Sequence, residues 1–229
     1  MFFFHSFEGL SLLIPAIVLA VWAQWKVRSS YAKYSQIGTR SGLTGAEVAY
    51  RILRDADAEG SGAVAIEPIA GEMTDHYDPR DHTLRLSQGV YGGRSIASLG
   101  IAAHEAGHAI QHANLYSPLM WRNAIYPISN IGSSLAFPLL FIGFIARTPM
   151  LIDIAIALYI FAVFFTVITL PVEFNASRRA IRALSNGGYL TQDELAGAKK
   201  VLSAAAMTYV AAAAMAIVQL IRMFLIRRD

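Results

Sequence analysis

Two histidines and a glutamate, spaced as H-E-x-x-H, are the side chains of this sequence best suited to chemistry. They are His104, Glu105 and His108. In a helix, residues four apart lie one turn above each other on the same face, so both imidazoles can point at one metal ion. Imidazole suits zinc, and a catalytic zinc site has three protein ligands and one open position. Glu105 lies one step around the helix, where its carboxylate can take a proton from a metal-activated water.

A long helical pattern from Ser95 to Tyr116 contains the motif, as this chemistry requires. Small and apolar residues recur along one side of it, namely Ile96, Leu99, Gly100, Ala103, Ala106, Gly107 and Ile110. Two imidazoles and a carboxylate on a largely apolar helix would be costly to bury without a purpose. The pattern therefore favours a metal site over a pair of structural histidines.

The third ligand must come from another part of the chain. His112 continues the four-residue series, but it lies about 6 Å beyond His108 along the helix axis, so a role at the helix end is favoured for it. No histidine follows His112. A downstream carboxylate is favoured instead, and Glu173 stands out because it follows an apolar segment that ends at Pro171. A carboxylate in that place could also extend to a membrane interface.

The other downstream acids are less suitable. Asp153 lies at the opposite end of its apolar segment, roughly 30 Å away along a helix. Asp193 and Glu194 lie in a polar stretch that follows Gly187 and Gly188, which suggests a mobile, solvated surface. The sequence leaves Glu173 as the preferred ligand, with His112 or His76 as the residues to examine if it fails.

The composition is that of a membrane protein. Hydrophobic residues make up 55% of the 229 residues, charged residues only 15%, and the mean hydropathy is +0.44. Soluble domains carry about a quarter charged residues. The net charge is only +3, and the basic residues flank apolar segments, so nucleic acid is not an expected partner. The absence of cysteine excludes disulfides, thiolate ligands and a cysteine nucleophile.

We expect an α-helical integral membrane protein with three or four transmembrane helices and a small α+β zincin-like catalytic domain built around the H-E-x-x-H helix. The predicted segments are an N-terminal anchor (1–25), a cytoplasmic α+β part (26–122), a transmembrane hairpin (123–172), a polar helical segment (173–200) and an Ala-rich C-terminal helix (201–229). The positive charges of Lys26, Arg28 and Lys33 place the α+β part in the cytoplasm. The last helix either crosses the membrane, which would put Arg227 and Arg228 outside, or packs without crossing.

Within the α+β part, Thr44 and Glu47 form a capping-box pattern at the start of a helix that should end at Glu59–Gly62. Residues 64–69 and 83–86 alternate like strands, and residues 77–81 between them are rich in turn formers. Thr83–Ser87 is interpreted either as an edge strand that pairs with an extended substrate or as a core strand of a small sheet.

One combined pattern consists of the H-E-A-G-H-A run, Glu173-Phe174-Asn175-Ala176-Ser177-Arg178 and the upstream residues 74–80, 84–87 and 90–91. This pattern resembles that of the YugP-like membrane zinc metallopeptidases. The layout is more distantly similar to that of the heat-shock membrane proteases and CAAX prenyl proteases. In those relatives a downstream E-x-x-A-D-R follows the zinc helix, and its glutamate is the third zinc ligand.

The resemblance implies that Glu173 is the third ligand, together with His104 and His108. Ser177 stands where the distant relatives have aspartate, so a hydroxyl would replace a carboxylate beside the metal. Arg178 matches the arginine of the pattern and could pair with a carboxylate near the metal or face lipid headgroups. His76 and Tyr77 are candidates for hydrogen bonding to the developing oxyanion, or simply parts of a turn.

The sequence therefore predicts a membrane-embedded zinc endopeptidase of the gluzincin type that holds one Zn²⁺. The expected partners are a protein or peptide substrate and the lipid bilayer, and the expected location is the cytoplasmic membrane, with the catalytic site on the cytoplasmic side. The alternative is a membrane scaffold or assembly factor that keeps a metal site with little turnover. The presence of Glu105 favours the enzyme, because a structural zinc site needs no base.

Overall fold

The computed structural model describes residues 11–56 and 64–228, and these residues are mostly helical. The elements in chain order are α1 (Leu13–Tyr34), α2 (Gly45–Asp55), β1 (Ala65–Ile69), β2 (His76–Asp78), β3 (Thr83–Ser87), α3 (Gln88–Tyr91), α4 (Ile96–Ala113), α5 (Ser117–Ile145), α6 (Pro149–Asn186) and α7 (Gln192–Arg228). The chain divides into two compact units. Unit 1 contains Met1–Gln24, Met120–Pro171 and Met207–Asp229, and unit 2 contains Trp25–Leu119 and Val172–Ala206.

In unit 2, α4 is the central helix of a buried apolar core. The predicted helix around the motif is confirmed over Ile96–Ala113, and Ser95 caps it by accepting a hydrogen bond from the backbone N–H of Ser98. Helix α2 begins with the predicted capping box of Thr44 and Glu47. Its predicted end at residues 59–62 lies outside the described residues. The core joins α2, α4 and parts of α6 and α7, with Leu99, Leu84, Leu86, Val48, Val90 and Leu184 among its fully buried side chains.

A three-stranded sheet with the order β1-β3-β2 covers part of this core. Strand β3 pairs in parallel with β1 and antiparallel with β2, so both of its edges are occupied. Of the two interpretations of Thr83–Ser87, the core strand is therefore correct and the substrate-pairing edge strand is wrong. The turn expected over residues 77–81 is also wrong in part, because His76–Asp78 forms strand β2 and the turn begins only after it.

Unit 1 contains the helical hairpin expected before residue 172. Helices α5 and α6 approach closely where Gly132 faces the Leu158 carbonyl, since a Cβ at that glycine would lie only 2.5 Å from the oxygen. The Ser129 hydroxyl donates to the Phe161 carbonyl nearby, at 2.9 Å. Arg147 turns the chain between the two helices with a φ of 50°, a conformation that few non-glycine residues adopt.

Helix α7 ends in unit 1 beside the start of α6. Arg227 donates to both carboxylate oxygens of Asp153, at 2.7 and 3.2 Å. One turn earlier, Met223 is fully buried in a cluster that includes Ile152 and Ile156. The C-terminal end of α7 therefore lies at the same end of unit 1 as the turn between α5 and α6.

Three helices of the described chain are long and apolar enough to cross a membrane, namely Ser117–Ile145, Pro149–Asn186 and Gln192–Arg227. Most of their apolar windows are not buried by the protein, and large side chains such as Phe141 and Ile145 are exposed. Helix α1 is not among the three. Residues 1–10 of the predicted anchor lie outside the described residues, so the anchor stays a prediction.

The polar segment expected at 173–200 is not a helix of its own. Helix α6 runs from Pro149 through Pro171 to Asn186, so the apolar and polar stretches form one element. After the turn at Gly188, which has a φ of 64°, helix α7 begins at Gln192 and continues into the Ala-rich stretch.

Glu194 is not the mobile, solvated residue that the sequence suggested. Its side chain is buried. One carboxylate oxygen accepts a hydrogen bond from the Thr191 N–H at the start of α7, and the other accepts one from the Arg40 N–H, both at 2.7 Å. The neighbouring Asp193 is exposed, as expected. Glu194 therefore joins the start of α7 to the loop before α2.

We expect Glu194→Ala to lower the free energy of unfolding by about 1–2 kcal/mol, because two backbone N–H groups lose their acceptor. Chemical denaturation of the purified protein in detergent, followed by circular dichroism, measures the change. Asp193→Ala is the matched control and should change stability by less than about 0.5 kcal/mol. Equal stability of the two variants would contradict the structural role of Glu194.

Candidate metal centre

The two imidazoles of the H-E-x-x-H motif project from one face of α4. The rings of His104 and His108 lie 4.8 Å apart between centroids and are nearly perpendicular to each other, at 83°. Both side chains are only partly exposed, at 13% and 11%. This is the arrangement that the four-residue spacing predicts for two ligands of one ion.

Glu173 comes to the same point from α6, although it lies 65 residues after His108 in the chain. Its Oε2 atom is 3.2 Å from Nε2 of His104 and 3.6 Å from Nε2 of His108. The carboxylate is almost fully buried, with 4% of the side chain exposed. Among the described residues, His104, His108 and Glu173 form the one group of three histidine or acidic side chains that could hold a metal ion, with ligand atoms within 4.8 Å of one another.

The donor set fits zinc. Two imidazole nitrogens and one carboxylate oxygen, with a fourth position open, are a known ligand set of catalytic zinc. Ligand atoms about 2.0–2.1 Å from a tetrahedral ion are about 3.3–3.4 Å apart. The two distances from Glu173 Oε2 to the imidazole nitrogens lie close to that value.

Gly107 allows α4 and α6 to approach this closely. A Cβ at residue 107 would lie 2.8 Å from the carbonyl oxygen of Ala176 and 3.3 Å from its Cα. Ala176 is itself fully buried and lies one helical turn after Glu173. The small residues at positions 107 and 176 therefore determine how far the carboxylate lies from the imidazoles.

Glu105 lies on the same helix between the two histidines and is buried. Burial raises the pKa of its carboxyl to about 7, and the positive charge of His104 acts in the opposite direction. A carboxyl with a pKa near neutrality can both accept and return a proton at physiological pH.

Each of the two histidines of the candidate site has a second partner at its Nδ1 atom. The Ser177 hydroxyl lies 3.2 Å from Nδ1 of His104, which is where the distant relatives would place an aspartate. The side-chain oxygen of Gln111 lies 3.0 Å from Nδ1 of His108, and the Gln111 amide nitrogen bonds to Asn175. Sequence reasoning missed Gln111 and Asn175, although Gln111 lies three residues after His108 on the same helix face.

The remaining predicted residues lie around this centre without joining the ligand group. Tyr77 bonds through its hydroxyl to Nδ1 of His112 at 2.8 Å, and His112 also contacts the ring of His82. Burial raises the pKa of Tyr77 to about 12, and burial with the nearby His82 lowers the pKa of His112. The two side chains thus form a neutral pair between β2 and the end of α4.

His76 is exposed, and its Nδ1 atom donates to the Thr74 carbonyl at 2.8 Å. The acid before it, Asp75, accepts from the backbone and hydroxyl of Ser87, which joins the start of β2 to the end of β3. Arg178 is exposed, and its Nε donates to the Phe174 carbonyl of its own helix at 3.3 Å. Arg178 therefore does not contact the ligand group.

Known proteins are similar to this chain over almost its whole length. Residues 10–228 match the family described as "Putative neutral zinc metallopeptidase". The chain belongs to this family. It is also 48% identical, over 216 residues and 94% of each chain, to a protein of Bacillus subtilis (strain 168) named "Putative membrane protease YugP". No solved structure matches the chain. The membership confirms the resemblance seen in the sequence and supports a coarse assignment as a zinc peptidase associated with membranes.

We expect Gly107→Ala to weaken zinc binding at least about tenfold, because the new methyl group must push the Ala176 backbone away and carry Glu173 with it. Competition with a chromophoric chelator measures the affinity. Gly100→Ala is the matched control seven residues earlier on α4, where the new Cβ would meet Ala198 at an ordinary 3.5 Å. If both variants bind zinc equally well, the close contact does not control the site.

Proposed function

We propose that this chain is a gluzincin-type zinc endopeptidase that hydrolyses peptide bonds of membrane or membrane-associated proteins. The observation that carries the proposal is the convergence of His104, His108 and Glu173 within ligand distance of one another. Glu105 on the same helix supplies the acid–base group that such an enzyme needs and a purely structural site does not. The proposed ligands of one Zn²⁺ are therefore His104, His108 and Glu173, and the proposed base is Glu105.

A zinc ion in this site would supply Lewis-acid activation of a water molecule and of the substrate carbonyl. Glu105 then accepts the proton of the attacking water at a carboxylate oxygen. Its raised pKa allows it to return that proton to the nitrogen of the leaving amine. Glu173 and the two imidazoles stay fixed in this scheme, because α4 and α6 hold them within the buried core of unit 2.

The substrate chain is proposed to extend along β2. This strand is at one edge of the sheet and pairs with β3 on one side only. It is joined to the zinc-binding helix by the bond between Tyr77 and His112. His76 on this strand is the proposed donor to the oxyanion. Because its Nδ1 already donates to Thr74, Nε2 is the nitrogen left to face the oxyanion.

The membrane preference rests on the three apolar helices and on the position of Glu173, two residues after Pro171, where unit 1 ends within α6. We propose that α5, α6 and α7 cross the cytoplasmic membrane and that the catalytic part lies on the cytoplasmic side. The ion pair between Arg227 and Asp153 neutralises one basic charge at the far end of α7. The positive-inside rule disfavours basic residues at the external end of a helix, so this ion pair makes an external Arg227 less unfavourable.

The base is tested with Glu105→Gln, which keeps size and hydrogen bonding but removes the proton acceptor. Zinc content should stay at one ion per chain, while casein cleavage by the purified protein in detergent falls by about 10²–10⁴-fold. Wild-type-like turnover in this variant would disprove the mechanism. A wild-type protein that holds zinc and cleaves neither casein nor a membrane-protein substrate would favour the scaffold alternative.

Glu173→Ala tests the third ligand in the same assay. The variant should lose most of its zinc and nearly all activity, because two imidazoles alone leave the ion with too few ligands. Asp193→Ala is the control, since this exposed acid is not one of the three residues of the candidate site. Zinc binding as tight as that of the wild type in Glu173→Ala would refute the gluzincin assignment.

Orientation is tested with reporter enzymes fused near residue 60 and at the turn Arg147–Pro149. The first fusion should score as cytoplasmic and the second as external, because Lys26, Arg28 and Lys33 follow the first apolar segment. The opposite pattern would place the catalytic part outside the cytoplasm and change the pool of substrates.

A further inference from the structure

Gln111 is a fully buried polar side chain between α4 and the part of α6 that carries Glu173. Its amide oxygen lies 3.0 Å from Nδ1 of His108. Its amide nitrogen donates to the Val172 carbonyl at 2.8 Å and to the side-chain oxygen of Asn175 at 2.9 Å. A buried amide of this kind is costly unless each polar atom has a partner, and here both have one.

The direction of every bond in this network follows from groups at its two ends. Arg179 can only donate, and its Nε donates to the side-chain oxygen of Asn175 at 2.8 Å, so that oxygen is an acceptor. The Val172 carbonyl is also only an acceptor. Two acceptors therefore face the Gln111 nitrogen, which places the Gln111 oxygen toward His108.

The Gln111 oxygen can only accept, so Nδ1 of His108 must carry the hydrogen. In the neutral imidazole, the lone pair is then on Nε2. That nitrogen lies 3.6 Å from the Glu173 carboxylate, on the side where the three ligand atoms meet. The network thus selects the one tautomer of His108 that can bind a metal there.

We propose that Gln111 is a positioning residue that fixes His108 as an Nε2 ligand and holds the Glu173 turn of α6 against α4. The proposal rests on the proposed zinc site. Both residues that accept from the Gln111 nitrogen flank Glu173 in the chain, one position before it and two after it. One amide therefore orients a ligand on each helix.

At its Nδ1 atom, His104 has no equivalent constraint. Nδ1 of His104 faces the hydroxyl of Ser177, which can donate or accept. The Ser177 contact is compatible with either tautomer, whereas the Gln111 contact is compatible with one. Removing Gln111 should consequently weaken zinc binding by more than the loss of a single hydrogen bond would.

The experiment compares zinc affinity, by chelator competition, in the full-length protein in detergent. Gln111→Met has a similar volume and makes none of these bonds, and it should bind zinc about 10–100-fold more weakly. Gln111→Glu still accepts from His108 but cannot donate to Val172 and Asn175, so it should recover part of that loss. Ser98→Ala is the control, because it removes another buried bond of α4, to the Gly89 carbonyl, and should leave affinity within about twofold.

Wild-type affinity in Gln111→Met, or equal losses in Gln111→Met and Gln111→Glu, would overturn the proposal. A second measurement needs no variant and covers the case in which Gln111→Met does not fold. Nuclear magnetic resonance of the protein with isotope-labelled histidine reports which nitrogen of His108 carries the hydrogen. It should be Nδ1 in the zinc-loaded protein, and also in the metal-free protein when the imidazole is neutral.

A neutral His108 that carries its hydrogen on Nε2 and none on Nδ1 would refute the role of Gln111. If the wild-type protein binds no zinc, the proposed function fails, but the metal-free measurement still decides whether Gln111 selects the tautomer. The two failures are therefore distinguishable.

Discussion

A residue without a side chain, Gly107, and a buried carboxylate, that of Glu173, together determine the geometry of the candidate metal centre. At Gly107 the backbone of α6 comes closer to α4 than any Cβ would allow, with the Ala176 carbonyl 2.8 Å from the place that a Cβ would occupy. One turn earlier, Glu173 enters the core, where an isolated carboxylate would be strongly unfavourable. The imidazoles of His104 and His108 provide the polar partners that make its burial possible. Close packing and charge compensation thus depend on each other.

Helix α6 shows how one element can suit two different surroundings. Up to Pro171 the helix belongs to unit 1, and large apolar side chains of this part are exposed. From Val172 it belongs to unit 2, and here Val172, Ala176 and Ala180 are buried. A helix satisfies its own backbone hydrogen bonds, so the change of environment requires no break in the element. Pro171 removes one donor and is tolerated without ending the helix.

The parts that could be predicted from the sequence are those with a local signal. The four-residue spacing of the histidines, the capping box at Thr44 and the apolar stretches of α5 to α7 each depend on residues close together in the chain. The pairing of Glu173 with the histidines was predicted by elimination and by family resemblance. The predictions for the edge strand and for β2 failed because strand pairing cannot be read from the alternation of one segment. The prediction for Glu194 failed because one of its partners, Arg40, lies 154 residues away in the chain.

Gln111 illustrates the same limit within the site. Its partners Val172 and Asn175 are more than 60 residues away. A glutamine on a helix is ordinarily a solvent-facing residue, and nothing local distinguishes this one as buried. The spacing of three from His108 was the available signal, but spacing alone does not show which face of α4 is covered. Only the packing of α6 against that face reveals it.

The contacts that hold the ligand set are made by the chain itself, and this has a consequence for how the protein matures. Small zinc domains fold only as the ion binds, so their loading and folding are one event. Here the Gly107 contact, the Gln111 amide and the core around α4 bring the three donor atoms together without using the ion as a link. For the proposed zinc site we therefore expect folding to come before metal acquisition, with the entropy of bringing the donors together lost when the chain packs. Such a chain would complete its packing first and become competent later, when metal is supplied.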